Sequence, residues 1–306
     1  MSLRSGFTET LSLPAAYKRA DLRSISGIFS RRALNSIVGA DNGQLFKNIL
    51  NDAGVDTDLL ESQTVLDVYI EAYNILKDYS VRSEYIYKNL LVRKVFLSRH
   101  SLRKSILLQE MRINGRIADA VILNGKAHAF EIKSERDSLS RVVDQISSYR
   151  TVFAHTSVIA AHKYIDRLHD LVPKSTGLSV VTKSYEISSR REAVSDYSDI
   201  DPSAIANLLR RQEKIRVLEG VGESVPDMPN TQIDQYLTAV IEQFPLDYLY
   251  PAMIKTLRNG RSQDFFEDTL KSLPACLHSL VLEKFRNPRQ MKKFVLAAEQ
   301  KVNTLG

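Results

Sequence analysis

The hydrophobic pattern of this chain changes period along its length, and each change marks a change of element. Residues 1–63 show no sustained period and read as polar loop and short helices, with one or two helices in Ser30–Leu50. From Thr64 to Tyr79, Val65, Val68, Ala72, Ile75 and Leu76 recur at helical spacing. Arg82–Leu97 repeats the pattern with Ile86, Leu90, Leu91, Val95 and Phe96. The period then shortens. Ile106–Ile113, Arg116–Leu123 and Lys126–Lys133 have strand character, and the pairs Asn114-Gly115 and Asn124-Gly125 separate them. Asn-Gly between apolar runs is a strong hairpin signal, because both residues tolerate the positive φ of a tight turn. A three-stranded meander is therefore predicted.

A helix follows, with Leu139, Val142, Val143, Ile146 and Tyr149 as its stripe and Asp137 or Ser138 to cap it. Thr156–Ala161 reads as a buried strand, Tyr164–Leu171 as a short helix, and Gly177–Thr182 with Ser184–Ser189 as a closing strand pair. Asp196–Pro202 is acidic and loop-like. Beyond it the pattern is helical over Ser203–Leu218, Gln232–Glu242, Leu249–Leu257, Phe265–Phe285 (with a break near Pro274) and Arg289–Asn303. Gly220–Thr231 interrupts that series as a linker. The expected organisation is α/β: a helical N-terminal region over 1–63, a core over 64–195 and a helical domain over 196–306.

Composition narrows the class. The net charge of the 306 residues is +6 and the pI about 9.2, compatible with a polyanionic partner. Arg4, Lys18, Arg19, Arg23, Arg31 and Arg32 make the N-terminal region basic. A lone cysteine, Cys276, excludes an internal disulfide and points to a reducing compartment, so a cytoplasmic protein is expected. No apolar run reaches the roughly eighteen residues of a membrane span, and the N-terminus lacks a secretory layout.

Three ionisable residues interrupt the apolar strands: Asp119, Glu131 and Lys133. A buried charge is costly unless it is paired or binds a metal. Glu131 and Lys133 are two apart and share a sheet face. Asp119 depends on the turn. A two-residue Asn124-Gly125 loop pairs it with Phe130, on the opposite face. A three-residue loop, Leu123-Asn124-Gly125, pairs it with Ala129, on the face of Glu131; a shared function favours this second loop. Two carboxylates and an ammonium on one face suit a hard divalent cation, which polarises a phosphoryl oxygen and acidifies bound water.

The spacing Asp119–(eleven residues)–Glu131-Ile132-Lys133 resembles the PD-(D/E)XK nuclease superfamily. The helix that follows carries Gln145 and Tyr149, i and i+4, and is similar to the Gln-x-x-x-Tyr element of its RecB-like branch. The resemblance covers roughly residues 83–189. The usual proline before the aspartate is Ala118 here. The resemblance implies a restriction-endonuclease-like core of helix, meander, helix and strand. It implies hydrolysis of a phosphodiester, in DNA ahead of RNA, dependent on Mg²⁺ or Mn²⁺. Asp119, Glu131 and the Ile132 carbonyl would hold the ion, Lys133 would orient or deprotonate the attacking water, and Gln145 and Tyr149 would lie against the site. Glu84, at the start of the helix before the meander, would be a further ligand. Glu110 is its rival, and faces the site if the Asn114-Gly115 loop has two residues. A setting in phage defence or on a mobile element follows from family usage.

Nucleic-acid contacts are expected from Arg141, one turn before Gln145, from Lys163 at a strand end, and from Arg286, Arg289, Lys292 and Lys293 near the C-terminus. His155, His162 and His169 do not share a face and are not expected to bind metal. No phosphate-binding Gly-x-x-x-x-Gly-Lys loop, nucleophile elbow, cysteine pair for zinc or dinucleotide fingerprint is present. Two alternatives stand beside the nuclease: a catalytically silent nucleic-acid-binding or scaffold protein on the same fold, and a nuclease subunit that needs a partner.

Overall fold

The computed structural model describes residues 13–39, 41–78 and 80–305. Arg4 and Tyr79 lie outside them. The chain forms two compact units, one of Met1–Ser83 with Arg289–Gly306, the other of Glu84–Pro288. The sequence division at 64 and 196 follows changes of composition; the packed units divide elsewhere, because the last helix packs with the N-terminal region.

In the first unit, helices α1 (Arg31–Val38), α2 (Gln44–Asp52) and α3 (Val65–Leu76) pack with the C-terminal helix Pro288–Ala298. Thr64 and Asp67 cap α3 reciprocally. Tyr69 sits at the centre, fully buried, with its ring against Phe29, Phe46 and Phe294 and its hydroxyl donating to the Ile28 carbonyl at 3.1 Å. Backbone bonds from Val65 N to Gln300 O and from Val302 N to Gln63 O tie the C-terminal segment in place.

The second unit begins with α4 (Glu84–Leu91), which continues through a π-helical turn, Val92–Leu97. The meander follows as β1 (Ile106–Ile113), β2 (Arg116–Leu123) and β3 (Ala127–Lys133), within one residue of the predicted bounds. Then come α5 (Val142–Arg150), β4 (His155–Ala161), α6 (Ile165–Leu171), β5 (Gly177–Val181) and β6 (Ile187–Arg191). They make one mixed six-stranded sheet in sequential order: β1, β2 and β3 antiparallel, β3, β4 and β5 parallel, β6 antiparallel to β5. Val142, Ile146 and Tyr149 of α5 join Val121, Ala129 and Val158 in a core with no exposure. Helices α7 (Pro202–Leu208), α8 (Arg211–Gly220), α9 (Asn230–Glu242) and α10 (Leu246–Gly260) extend that core, and α11 (Glu267–Ser272) and α12 (His278–Lys284) complete the unit.

Four local expectations change. Asp137 does not cap α5; its carboxylate accepts from the backbone and hydroxyl of Ser134, at 2.7 and 2.6 Å, and the helix starts only at Val142. Ser138 bonds Ser140 rather than the helix. Val143 is exposed, since it lies off the Val142–Ile146–Tyr149 line. The helix predicted over Ser203–Leu218 breaks at Leu209 and Arg210, which are extended. The break lets the Arg210 N–H cap onto Glu213, whose buried carboxylate pairs with Arg261 at 2.7 Å. The acidic loop is likewise tied down: Asp196 and Asp199 accept from Arg150 at 2.9 and 2.7 Å. No helix among the described residues is long and apolar enough to cross a membrane.

Candidate functional site

Two turns set the register of the meander. Asn114 and Gly115 are both left-handed, with φ of 44° and 75°, and close a two-residue loop flanked by Ile113 and Arg116. The neighbouring pairs Gln109–Ala120 and Met111–Ala118 therefore set Glu110 opposite Asp119. The second turn takes neither expected form. Leu123 pairs with Ala127, so the loop is Asn124-Gly125-Lys126, with Gly125 left-handed. Asp119 thus faces neither Phe130 nor Ala129. The register runs toward Glu131, and the β2–β3 ladder stops one residue short, at Ala120–Phe130.

Both ladders open at Asp119. Glu110 is left-handed, with φ 54°, a conformation rare for a residue with a Cβ. On the other side, Asp119 Oδ2 accepts the Ile132 N–H at 2.6 Å, so a side chain stands where a ladder bond would be. Asp119 consequently joins two groups of polar residues.

The first group gathers around Lys88 of α4. Its Nζ lies 2.7 Å from Glu84 Oε1 and 3.8 Å from Asp119 Oδ1, and it also contacts Glu110. One carboxylate oxygen from each of Glu84, Glu110 and Asp119 lies within 4.8 Å of the others. Burial disfavours the ammonium, but the charges of Asp119, Glu84 and Glu110 outweigh it and hold Lys88 above the ordinary lysine range. Asp119 moves well above the usual carboxylate range, chiefly through burial and then through the charge of Glu131, against the pull of Lys88 and the Ile132 amide.

The second group is buried. Glu131 and Lys133 are 2% and 6% exposed. Lys133 Nζ donates to Glu131 Oε1 at 2.7 Å and to Gln145 Oε1 at 2.8 Å. The Tyr149 hydroxyl lies 2.6 Å from Glu131 Oε2 and 2.5 Å from the Ile117 carbonyl, and its single proton serves both. Burial raises the Glu131 carboxyl, opposed by Lys133, Tyr149 and Gln145. Tyr149 is raised too, by burial and then by Glu131.

The structure thus brings together Glu84, Asp119, Glu131, Lys133, Gln145 and Tyr149. Ile132 is present through its amide on Asp119, and it pairs with Ile159 of β4. Glu84 and Glu110 are not rivals; both reach the cluster. Lys88 is the participant that sequence reasoning passed over, although its i, i+4 spacing from Glu84 was a signal.

The residues expected to contact nucleic acid are divided between the two units. Arg141 is exposed just before α5. Lys163 donates to the Glu135 carbonyl at 2.6 Å and sits over the Tyr164 ring. Arg286 belongs to the second unit and donates to the carbonyls of Glu283 and Phe285 at 2.9 and 3.1 Å. Arg289, Lys292 and Lys293 are exposed on the C-terminal helix of the first unit.

The oxygens of Glu84, Glu110 and Asp119 fit a hard divalent cation in number and type, and the cluster already accommodates one positive charge, that of Lys88. Glu131 is not one of the three, and both of its oxygens are engaged by Lys133 and Tyr149.

The family model described as bacteriophage P4 protein cII matches residues 77–280, more than half of the chain and all of this site. The chain belongs to the bacteriophage P4 protein cII family. A curated relative, Protein cII of Enterobacteria phage P4, is 32% identical over 79 residues, which are 25% of this chain and 30% of that protein. The cII-family chain therefore spans about 30% of the length of the relative it matches. No solved structure matches this cII-family chain.

Proposed function

We propose that this cII-family protein is a metal-dependent nuclease with a restriction-endonuclease-like core, acting on DNA with Mg²⁺ or Mn²⁺. The observation that carries the reading is the position of Asp119. It connects the carboxylates of Glu84 and Glu110 to the buried Glu131–Lys133 pair, and it does so at an opening in the sheet. The order of helix, antiparallel meander, helix and parallel strand supports it.

On this reading Glu84, Glu110 and Asp119 would hold the ion, with Glu131 adjoining. A divalent cation there would supply electrostatic stabilisation of a phosphoryl oxygen and a more acidic water. Lys133 is fixed between Glu131 and Gln145, which leaves an ammonium hydrogen to orient the attacking water or stabilise the charge that develops. Tyr149 clamps Glu131 from the other side, so the carboxylate keeps one orientation. The Ile132 amide does the same for Asp119.

A second reading has one observation in its favour. Lys88 already sets one positive charge among the outer acids, and a catalytically silent nucleic-acid-binding protein would need no ion there. A cleavage panel decides between them: linear, circular and single-stranded DNA and RNA, each with Mg²⁺, Mn²⁺ or EDTA. Metal-dependent cutting that Asp119→Asn abolishes supports the nuclease; cutting in EDTA, or equal cutting by Asp119→Asn, overturns it.

A further inference from the structure

Beside the acid cluster, the edge of the sheet forms one wall of a cleft of about 530 Å³. β1 is an edge strand, and among the described residues no further strand covers its outer side. The backbone N–H of Leu107 is taken instead by the Gln263 side chain at 2.9 Å. Arg210, Arg261, Phe265 and Arg286 also line it. Glu110 belongs both to this cleft and to the cluster with Glu84 and Asp119. The cleft therefore opens onto the candidate site.

Its charge is one-sided. Arg112, Arg210 and Arg286 are exposed, and Arg286 is oriented by its bonds to the carbonyls of Glu283 and Phe285. Arg261 is held by both oxygens of Glu213, at 2.7 Å each, and stiffens the wall. The two acids of the lining are each already engaged by a lysine, Glu110 by Lys88 and Glu283 by Lys284. Phe265 is 37% accessible, its ring packed on one side against that of Phe266 at 4.1 Å between centroids. Arginines beside an exposed aromatic ring are the equipment for a flexible polyanion with flat bases. The volume is in the range of small-ligand pockets, room for a nucleotide or two of one strand and too little for a duplex.

We propose that the cleft receives a single strand of nucleic acid, with phosphates on Arg112, Arg210 and Arg286 and a base stacked on Phe265, and that it leads the strand to Glu110 and Asp119. The proposal rests on the nuclease reading, whose substrate it specifies.

The test is fluorescence anisotropy on the full chain in EDTA, with labelled oligothymidylate of about twelve nucleotides and a hairpin duplex of equal length, over a series of salt concentrations. Wild type should bind the single strand at least tenfold more tightly than the duplex. Arg112→Gln with Arg210→Gln should weaken single-strand binding by tenfold or more and flatten its salt slope by about 1.4 units, roughly 0.7 per charge. Phe265→Ala should cost about tenfold. Arg112→Lys with Arg210→Lys should restore most of the affinity, which separates charge from folding. Unchanged affinity and slope in the glutamine variant, or a preference for the duplex, overturns the cleft. Asp119→Asn should bind the oligonucleotide at least as tightly as wild type. If it also cuts normally while the glutamine variant has lost binding, the cleft stands and the catalytic assignment falls.

Discussion

Lys88 Nζ is 2.7 Å from Glu84 Oε1 one turn earlier on the same helix, and it also reaches Glu110 and Asp119 from two strands. One ammonium thus bridges acids from three elements. Lys88→Met should destabilise the protein by about 1–3 kcal/mol, less than for a fully buried pair because Glu84 and Glu110 are 47% and 40% exposed. If the cluster takes a divalent cation, Mn²⁺ should raise the Tm of this variant more than that of wild type, because the ion meets no competing ammonium. Thermal unfolding with and without Mn²⁺ measures both. Equal Mn²⁺ shifts in the two proteins would show that the cluster does not bind the ion.

Asp119→Asn keeps an oxygen to accept the Ile132 N–H but removes the charge that burial and Glu131 make unfavourable. The folded carboxyl titrates above its unfolded value, so the stability it contributes is full in acid and fades as pH rises through the raised value. At neutral pH the variant should therefore be at least as stable as wild type, while metal-dependent cleavage falls by a hundredfold or more. Chemical denaturation paired with a cleavage assay tests this. A variant that is less stable and fully active contradicts it on both counts.

Lys133→Met should slow single-turnover cleavage by about a hundredfold with little change in Mn²⁺ affinity, because the side chain supplies an ammonium and not an oxygen. Lys133→Arg should be nearly as slow, since a planar fork cannot occupy the compact position between Glu131 and Gln145. Rapid-quench kinetics beside calorimetric titration of Mn²⁺ separates the two effects. An unchanged single-turnover rate would remove Lys133 from the reaction.

Tyr149→Phe deletes one hydroxyl and leaves Glu131 Oε2 and the Ile117 carbonyl short of a donor. The expected cost is about 1–3 kcal/mol for unsatisfied buried acceptors. Activity should fall as well, through a less ordered Glu131. If the midpoint in urea does not move, the two short contacts do not matter energetically.

His128 is paired with Ser157 at 2.8 Å and stacked on Phe130. Burial first, then His155 and Lys126, lowers its pKa to about 3. Its folded value lies below its unfolded one, so the unfolded chain gains a proton first as pH falls. Stability should decline by up to about 1.4 kcal/mol per pH unit from near 6.5 down toward 3. His128→Gln should flatten that decline in a series of urea titrations. An identical slope would place the acid sensitivity elsewhere.

The sequence by itself determined the first three strands of the sheet, while β6 lies at Ile187–Arg191 rather than the expected Ser184–Ser189. Asn-Gly turns and apolar alternation act between near neighbours, so β1, β2 and β3 could be bounded to within a residue, and the acids inside them could be singled out. Asp119, Glu131 and Lys133 stood out by the same local logic, whereas Gln145 and Tyr149 came from the resemblance to the Gln-x-x-x-Tyr element. Only the tertiary structure decided which of them meet. The β2–β3 loop takes Asn124-Gly125-Lys126, a form that turn statistics did not select over its neighbours, and a single residue of slip changes every cross-strand pair. Lys88 joins Glu110 and Asp119 because α4 packs beside the opening of the ladders, a contact that no spacing in the chain encodes. Helix Pro288–Ala298 showed its apolar stripe in the sequence, but its partner, the Tyr69 cluster, lies near the other end of the chain. Local backbone preference is carried by adjacent residues; the pairing of distant faces depends on how they fill space together, and that is settled only when the chain packs.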